Sequence, residues 1–228
     1  MTKVNINKRL EMIAFKIPDN RSVIDVGCDH ALLGIYLVLN KKNIKVIASD
    51  INEGPLVKAR ENIKKFGVEE QIKIKLGNGI DTIEEGIDTI VISGMGGLNM
   101  VGILKYKTHL LKNVSTIVLS PNNYTKEVRR EITKLGYYIS DEDLVEDKGI
   151  IYPVIVFEKG KRFYRKQDYI YGPILLKQRS TLFKKYLERE LLTKQTILKS
   201  MPKKYIERRI VLKKDIKNLE KLLNNFEN

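Results

Sequence analysis

Carboxylates and glycines recur in this sequence immediately after short apolar runs. Val23-Ile24-Asp25-Val26-Gly27-Cys28-Asp29-His30-Ala31 is the first such site. A dinucleotide fingerprint would need glycines at 27, 29 and 32, because a pyrophosphate must approach bare backbone amides at a helix N-terminus. Only Gly27 is present; Asp29 and Leu32 hold the other two places. A carboxylate at 29 would repel a phosphate. S-adenosylmethionine has no phosphate and carries a cationic sulfonium, so the same loop can serve it beside an acid.

Three more sites follow in order. In Ala48-Ser49-Asp50-Ile51 the acid can accept both ribose hydroxyls or cap the next helix. In Gly77-Asn78-Gly79 the amide can meet the adenine amino edge or serve a tight turn. Ser93-Gly94-Met95-Gly96-Gly97 permits close backbone approach. The expected cofactor contacts are therefore Asp25, Gly27, Cys28 and Asp29, then Asp50 and Ile51. Gly77, Asn78 and Gly79 follow, then Gly94, Met95 and Gly96. Cys28 reads as a small buried residue and not a nucleophile.

These sites need a scaffold that brings strand ends together. A helix is expected over 5–17, stopped by Pro18. Strands Ser22–Val26, Lys45–Ser49, Ile72–Leu76, Thr89–Ser93 and Thr116–Leu119 then alternate with helices Ala31–Leu39, Pro55–Phe66, Leu98–Leu111 and Lys126–Leu135. That alternation predicts a parallel sheet covered on both faces. Tyr137–Val145 and Ile151–Phe157 flank Asp147-Lys148-Gly149, which predicts a closing antiparallel hairpin. The fold class is thus α/β: a Rossmann-like, seven-stranded class I methyltransferase sheet with an antiparallel end.

After Gly160 only helical patterning remains. Leu176, Phe183, Leu187, Leu191 and Leu198 form one apolar stripe, and Leu212, Ile216, Leu219, Leu223 and Phe226 step by 4, 3, 4 and 3. Pro202 falls between them, so a coiled-coil-like helical hairpin is expected. The expected domains are 1–160, cofactor-binding and catalytic, and 161–228, basic and helical. Of the 228 residues, 42 are Lys or Arg and 28 Asp or Glu, a net charge of +14. Residues 1–160 hold 23 cations and 21 acids; residues 161–228 hold 19 and 7. A tail so charged suits a polyanion, or is a solvated face. One cysteine excludes an internal disulfide framework and a four-cysteine zinc site. No apolar run is long enough for a membrane span and no leader-like segment opens the chain, so a cytoplasmic location is expected; the further expectations are a monomer and no metal.

Several segments together carry a family likeness. Lys8-Arg9-Leu10, Gly27-Cys28-Asp29-His30-Ala31, Asn52-Glu53-Gly54-Pro55, Gly77-Asn78-Gly79, Gly94-Met95-Gly96-Gly97, Ser120-Pro121-Asn122, Tyr169 and Tyr171-Gly172-Pro173 resemble the bacterial TrmK family. The resemblance implies a tRNA methyltransferase that makes N1-methyladenosine at position 22, in the D-arm, with a helical C-terminal domain that helps hold tRNA. Two places depart from the pattern: Asp50 stands where the family has Glu, and Ser120 where it has Gln before Pro-Asn.

Adenine N1 has a lone pair and no proton to lose, so its methylation needs no general base. Positive charge develops on the base, and a carboxylate bonded to the exocyclic amine would stabilise it. Asp29 is the candidate, with a helix cap as its other reading; His30 either orients Asp29 or contacts the base. Arg9, Pro121, Asn122 and Tyr124 are candidate contacts to the target nucleotide. Arg129, Arg130, Lys184, Lys185 and Arg189, with Lys203, Lys204, Arg208 and Arg209, are candidate phosphate contacts. A methyltransferase for another RNA or for protein, a nicotinamide-dependent oxidoreductase, and a non-catalytic RNA-binding protein with a vestigial cofactor site are the alternatives.

Overall fold

The computed structural model describes residues 4–226. The first helix, α1 (Lys8–Lys16), is capped by the Asn7 side chain, which accepts from the Leu10 amide at 2.8 Å. It ends at Ile17, because a residue before proline avoids the helical region. Strand β1 (Ser22–Val26), α2 (Leu32–Asn40), β2 (Lys45–Asp50), α3 (Glu53–Phe66) and β3 (Ile72–Leu76) follow. Then come β4 (Thr89–Ser93), α4 (Gly97–Tyr106), β5 (Thr116–Ser120), α5 (Thr125–Lys134), β6 (Tyr137–Asp147) and β7 (Ile150–Lys159).

The strands form one sheet in the order β3-β2-β1-β4-β5-β7-β6. β1 to β5 are parallel, and β7 lies antiparallel to both β5 and β6. Strands β4 and β5 are buried almost throughout, as central strands of a two-faced sheet must be. Their alternate residues feed two cores. Val91 and Val118 face one with Ile13, Leu33 and Leu56; Ile90, Ile92 and Ile117 face the other with Met100 and Ile132. The order reverses between β1 and β4, and open α/β sheets bind ligands beside the strand ends at such a switch.

Two expectations change. The single helix Leu98–Leu111 is α4 followed by a separate 3₁₀ turn, Thr108–Asn113, with Lys107 breaking the helix at φ −135° and ψ 68°. The domain boundary also moves. The chain divides into two compact units, the first ending at Ile174, the second beginning at Leu175. Residues just past Gly160 belong to the first unit because polar contacts tie them there. The Ile139 amide donates to Tyr164 Oη at 2.7 Å, and Arg129 donates to the Tyr169 and Ile170 carbonyls at 3.2 Å. Helix α6 (Lys166–Tyr171) lies in this segment.

Past α7 (Pro173–Gln178), the second unit is built on α8 (Thr181–Ser200) and α9 (Ile206–Asn224), an antiparallel pair. Ser180 caps α8 through the Phe183 amide. Phe183, Leu187, Ile216 and Leu219 are buried between the helices, and the Phe183 and Phe226 rings lie 5.8 Å apart. Leu176 sits on α7 and so does not continue the α8 stripe. Residues 175–228 hold 15 Lys and Arg against 6 Asp and Glu. No helix among the described residues is long and apolar enough to cross a membrane.

Candidate active site

The loop from β1 to α2 is bent by three left-handed residues: Gly27 at φ 75°, Asp29 at 49° and Ala31 at 57°. Gly27 suits this, and Asp tolerates it better than most residues. The loop is held from β2, where the Ser49 carbonyl accepts from the amides of Gly27 at 2.8 Å and Cys28 at 3.0 Å. A Cβ at Gly27 would also collide with Met95 Cε, so the glycine lets the β4 loop close over it.

These bends open a cavity of about 820 Å³ at the C-terminal ends of the strands, within the range of small-molecule sites. Gly27, Asp29, Asp50, Ile51, Gly77, Asn78, Gly79, Gly94 and Met95 all line it, as expected. Asp50 does not cap α3, whose N-cap is Asn52; its Oδ1 accepts the Asn52 amide at 2.9 Å, which orients the carboxylate. Asn78 precedes a 3₁₀ turn but makes no side-chain cap there. Asp29 makes no cap on α2, whose N-cap is Ala31, and its side chain is 74% exposed.

Three expected contacts do not reach the cavity wall. Asp25 lies within β1, 5% exposed. Burial, with the nearby Asp50 and Asp29 carboxylates, pushes its pKa up to about 7. Cys28 is buried, and desolvation pushes its thiol up, which makes it inert. Gly96 is the N-cap of α4, beside the Asn123 side chain. His30 also stands off the wall; its Nε2 lies 3.5 Å from Asp29 Oδ1. Conversely, the first turns of α4 form a wall that the sequence reading leaves out, through Leu98, Asn99, Gly102, Ile103 and Tyr106. The available signal is apolar: Leu98 and Tyr106 lie off the buried Met100–Val101–Leu104 stripe, 50% and 69% exposed.

The β5 end is braced from α1. Arg9 is buried and turned inward, not toward solvent. Its Nε donates to Ser120 Oγ at 2.8 Å, another nitrogen donates to the Ser120 carbonyl, and Nη1 donates to Asn122 Oδ1 at 2.8 Å. Its guanidinium stacks 4.1 Å from the Tyr152 ring centroid. Asn122 in turn donates from Nδ2 to the Gly94 carbonyl at 2.7 Å, and its amide donates to the Met95 carbonyl at 2.9 Å. Thus the Ser120-Pro121-Asn122 turn is bolted to the loop that closes the cavity. Ser120 Oγ also donates to the Pro153 carbonyl, so this residue cross-links strands. Tyr124 follows at φ 52°, a strained conformation for a bulky residue, with its side chain half exposed.

The candidate phosphate contacts divide. Arg129 is 2% exposed and pairs with the fully buried Glu142 at 2.5 Å, so it is an internal brace and not a surface cation. Arg130 is half exposed and shares Glu131 with Lys105 and Lys134. On α8, Lys185 and Arg189 are exposed and Lys184 is half-buried.

The cavity has a chemical signature. Among the described residues, Asp29 and Asp50 are the only charged side chains that line it, and no Lys, Arg or His does. A phosphate would meet two acids and no cation. A sulfonium nucleoside meets an acid near its positive charge, a second acid for ribose and glycine-lined approaches, so S-adenosylmethionine fits.

Comparisons agree. Residues 23–221 match the family described as TrmK: tRNA (adenine(22)-N(1))-methyltransferase. The tRNA (adenine(22)-N(1))-methyltransferase of Bacillus subtilis is 33% identical over 204 residues, 86% of each chain. A Streptococcus pneumoniae protein in complex with S-adenosyl-L-methionine superposes with a TM-score of 0.88 at 32% identity, covering 96% of this chain and 100% of that one. Mycoplasma capricolum TrmK, with the cofactor product S-adenosyl-homocysteine, superposes with a TM-score of 0.85 at 28% identity, covering 96% and 98%. With its sheet order, its acid-lined cavity and a match along most of its length, the chain belongs to the TrmK family of tRNA (adenine(22)-N(1))-methyltransferases.

Proposed function

We propose that this chain methylates N1 of adenosine 22 in tRNA, with Asp29 as the group that stabilises the reacting base. The observation that carries the reading is the cavity at the switch point, lined among the described residues by two carboxylates and no cation. Bound there, S-adenosylmethionine supplies the methyl group and keeps the electron pair of its broken carbon–sulfur bond as N1 forms the new bond.

The chain's own residues do the rest. Asp50, oriented by the Asn52 amide, accepts the ribose hydroxyls. The glycines at 27, 77, 79 and 94 keep the approach open. Asp29, exposed at the rim, accepts a hydrogen bond from the adenine amine and gains strength as the ring becomes cationic. Arg9 fixes the Ser120-Pro121-Asn122 turn beside the site. Tyr124 offers a face to the extruded base, whose unstacking costs a few kcal/mol. Cations of the helical unit offset that cost through tRNA phosphates. The reading includes a cytoplasmic monomer that needs no metal, since N1 requires neither an activated water nor a base.

The test is transfer from tritiated S-adenosylmethionine to unmodified tRNA bearing adenosine at position 22, followed by product mapping. Label at N1 of that adenosine is expected. Label elsewhere, or none from protein that binds the cofactor, overturns the reading. Asp29→Ala should lower single-turnover transfer about 10²- to 10³-fold with tRNA affinity unchanged; equal loss in both removes its proposed role.

A further inference from the structure

The two halves of the helical hairpin differ in how they treat apolar residues. Near its base, Phe183, Leu187, Ile216 and Leu219 are buried. Near its tip the seam residues Leu198 and Leu212 are only half-buried, and further aliphatics face outward. Ile206, Ile210 and Val211 are 65%, 61% and 61% exposed. They are not seam residues: Ile206 and Ile210 lie one turn apart on α9, and Val211 sits about 100° further round the helix, also exposed. A solvated helix end has no physical need for three exposed β-branched aliphatics within two turns. Exposed apolar clusters rimmed by polar residues mark contact surfaces.

The rim of this cluster identifies its occupant. Residues 199–214 contain seven Lys or Arg and a single acid, Glu207. Among the described residues no carboxylate pairs with Lys203, Lys204, Arg208, Lys213 or Lys214. Lys204 and Arg208 lie 5.3 and 5.7 Å from the Tyr205 ring centroid. Arg209 is set apart as a structural residue, since it donates to the Leu198 carbonyl at 2.9 Å and to that of Met201, closing the turn. A second copy of this surface would bring like charge against like charge. A polyanion would not.

Phosphates alone explain the cations but not the aliphatics. Stem RNA presents phosphates and 2′-hydroxyls, while loops present unstacked bases with apolar faces. We infer that the hairpin tip, centred on Tyr205, Ile206, Ile210 and Val211, docks on unstacked loop bases of tRNA, with Lys203, Lys204 and Arg208 on the adjoining phosphates. This inference rests on the proposed tRNA-methylating activity and adds a second, base-contacting point of recognition. Helix α8 has 20 residues, so a contact at the tip lies about 30 Å along the hairpin from one at its base.

The test uses the full chain. The variant Ile206→Ser/Ile210→Ser/Val211→Ser changes only exposed positions, and its thermal melt should match the parent. Its affinity for intact tRNA should fall about tenfold or more, with the slope of log Kd against log salt unchanged. Lys203→Gln/Lys204→Gln/Arg208→Gln should weaken binding and lower that slope by about two to three. A loop-free RNA duplex should bind the serine variant and the parent equally. Equal binding of intact tRNA by both overturns the inference. So does a parent that sediments as a dimer and a serine variant that sediments as a monomer, which would make a second copy the occupant. Product mapping on the parent runs alongside: failure to methylate tRNA would overturn the proposed activity itself, whereas a parent that methylates with an indifferent tip overturns only this inference.

Discussion

In the α/β unit the decisive charges are few and fixed. Arg9 and Arg129 are buried, each held by several partners, and among the described residues the charged side chains lining the cavity are Asp29 and Asp50. In the helical hairpin the charges are many, mostly exposed and of one sign, 15 cations against 6 acids in residues 175–228. The first arrangement selects a small cationic ligand through geometry. The second has the charge that would suit the phosphates of a long anion. Under the proposed function, one chain would separate recognition of the cofactor from recognition of the nucleic acid by the sign and the burial of its charges. That separation should be visible in solution.

Salt is the sharpest way to break it. Between 50 and 200 mM salt, tRNA affinity should fall about 10³-fold or more, as release of counterions from several phosphate contacts requires. Cofactor affinity over the same range should change less than about threefold, because the cavity lies within one unit and meets no polyanion. Filter binding and calorimetry measure the two constants. A tRNA affinity indifferent to salt would remove the hairpin's assigned part.

A mutation in each region sharpens the contrast further. Arg129→Met removes the counter-ion of the buried Glu142 carboxylate, which keeps the Ile174 amide, and should destabilise the fold by about 3 kcal/mol. Adding Glu142→Leu should restore most of that loss, since a buried pair can be replaced by packed apolar groups. Lys199→Gln on exposed α8 should change stability by less than about 0.5 kcal/mol. Urea melts give all three values. If Arg129→Met melts with the parent, the buried pair has no structural role and Arg129 returns to the list of RNA contacts.

The Arg129 case also marks how far sequence reading reached. Strand ends were legible because buried parallel strands are short apolar runs, and the residue after each run must lie at the sheet edge. Nine expected cofactor contacts reach the cavity for that reason. Arg129 was not legible, since an arginine on an amphipathic helix looks the same whether it meets water or Glu142 on a neighbouring strand. Helix α4 was missed as a cavity wall because its buried stripe is visible in sequence, while the side facing a ligand looks like surface. The boundary at Gly160 followed composition; contacts between side chains far apart in sequence, such as Tyr164 with Ile139, moved it to Ile174.

Proton chemistry offers a contrast confined to the α/β unit. Asp25 has its pKa raised to about 7 in the fold, above the ordinary carboxylate value of 3.8. The folded state therefore holds a proton that the unfolded chain releases. Stability from this group is full below about pH 4, falls as pH rises from about 4 to about 7, and is level above that. Asp25→Asn should then be more stable than the parent by about 2–4 kcal/mol at pH 8 and equal to it near pH 4. A bound sulfonium favours the ionised acid, so cofactor affinity of the parent should rise through pH 7, while that of Asp25→Asn stays flat. Chemical denaturation and calorimetry at several pH values decide both, and a parent curve parallel to the variant's would show that Asp25 does not titrate in this range.

The smallest expected effect concerns His30, and it separates two atoms of one ring. His30 Nε2 lies 3.5 Å from Asp29 Oδ1, whereas Nδ1 is buried and has no hydrogen-bond partner. A proton on Nδ1 would be a buried donor with nothing to meet; on Nε2 it faces a carboxylate. The geometry thus favours the Nε2–H tautomer, and the expected role is to steady Asp29 in its left-handed loop. A glutamine amide places its nitrogen near the Nε2 position, and an asparagine amide places it near Nδ1. His30→Gln should keep kcat within about twofold, while His30→Asn should lower it about fivefold, each with an unchanged KM for tRNA, because loss of one orienting polar contact to Asp29 costs about 1 kcal/mol. If both variants lose activity through KM, His30 meets the substrate directly. If asparagine retains activity and glutamine does not, the proton belongs on the other nitrogen and the pairing with Asp29 fails.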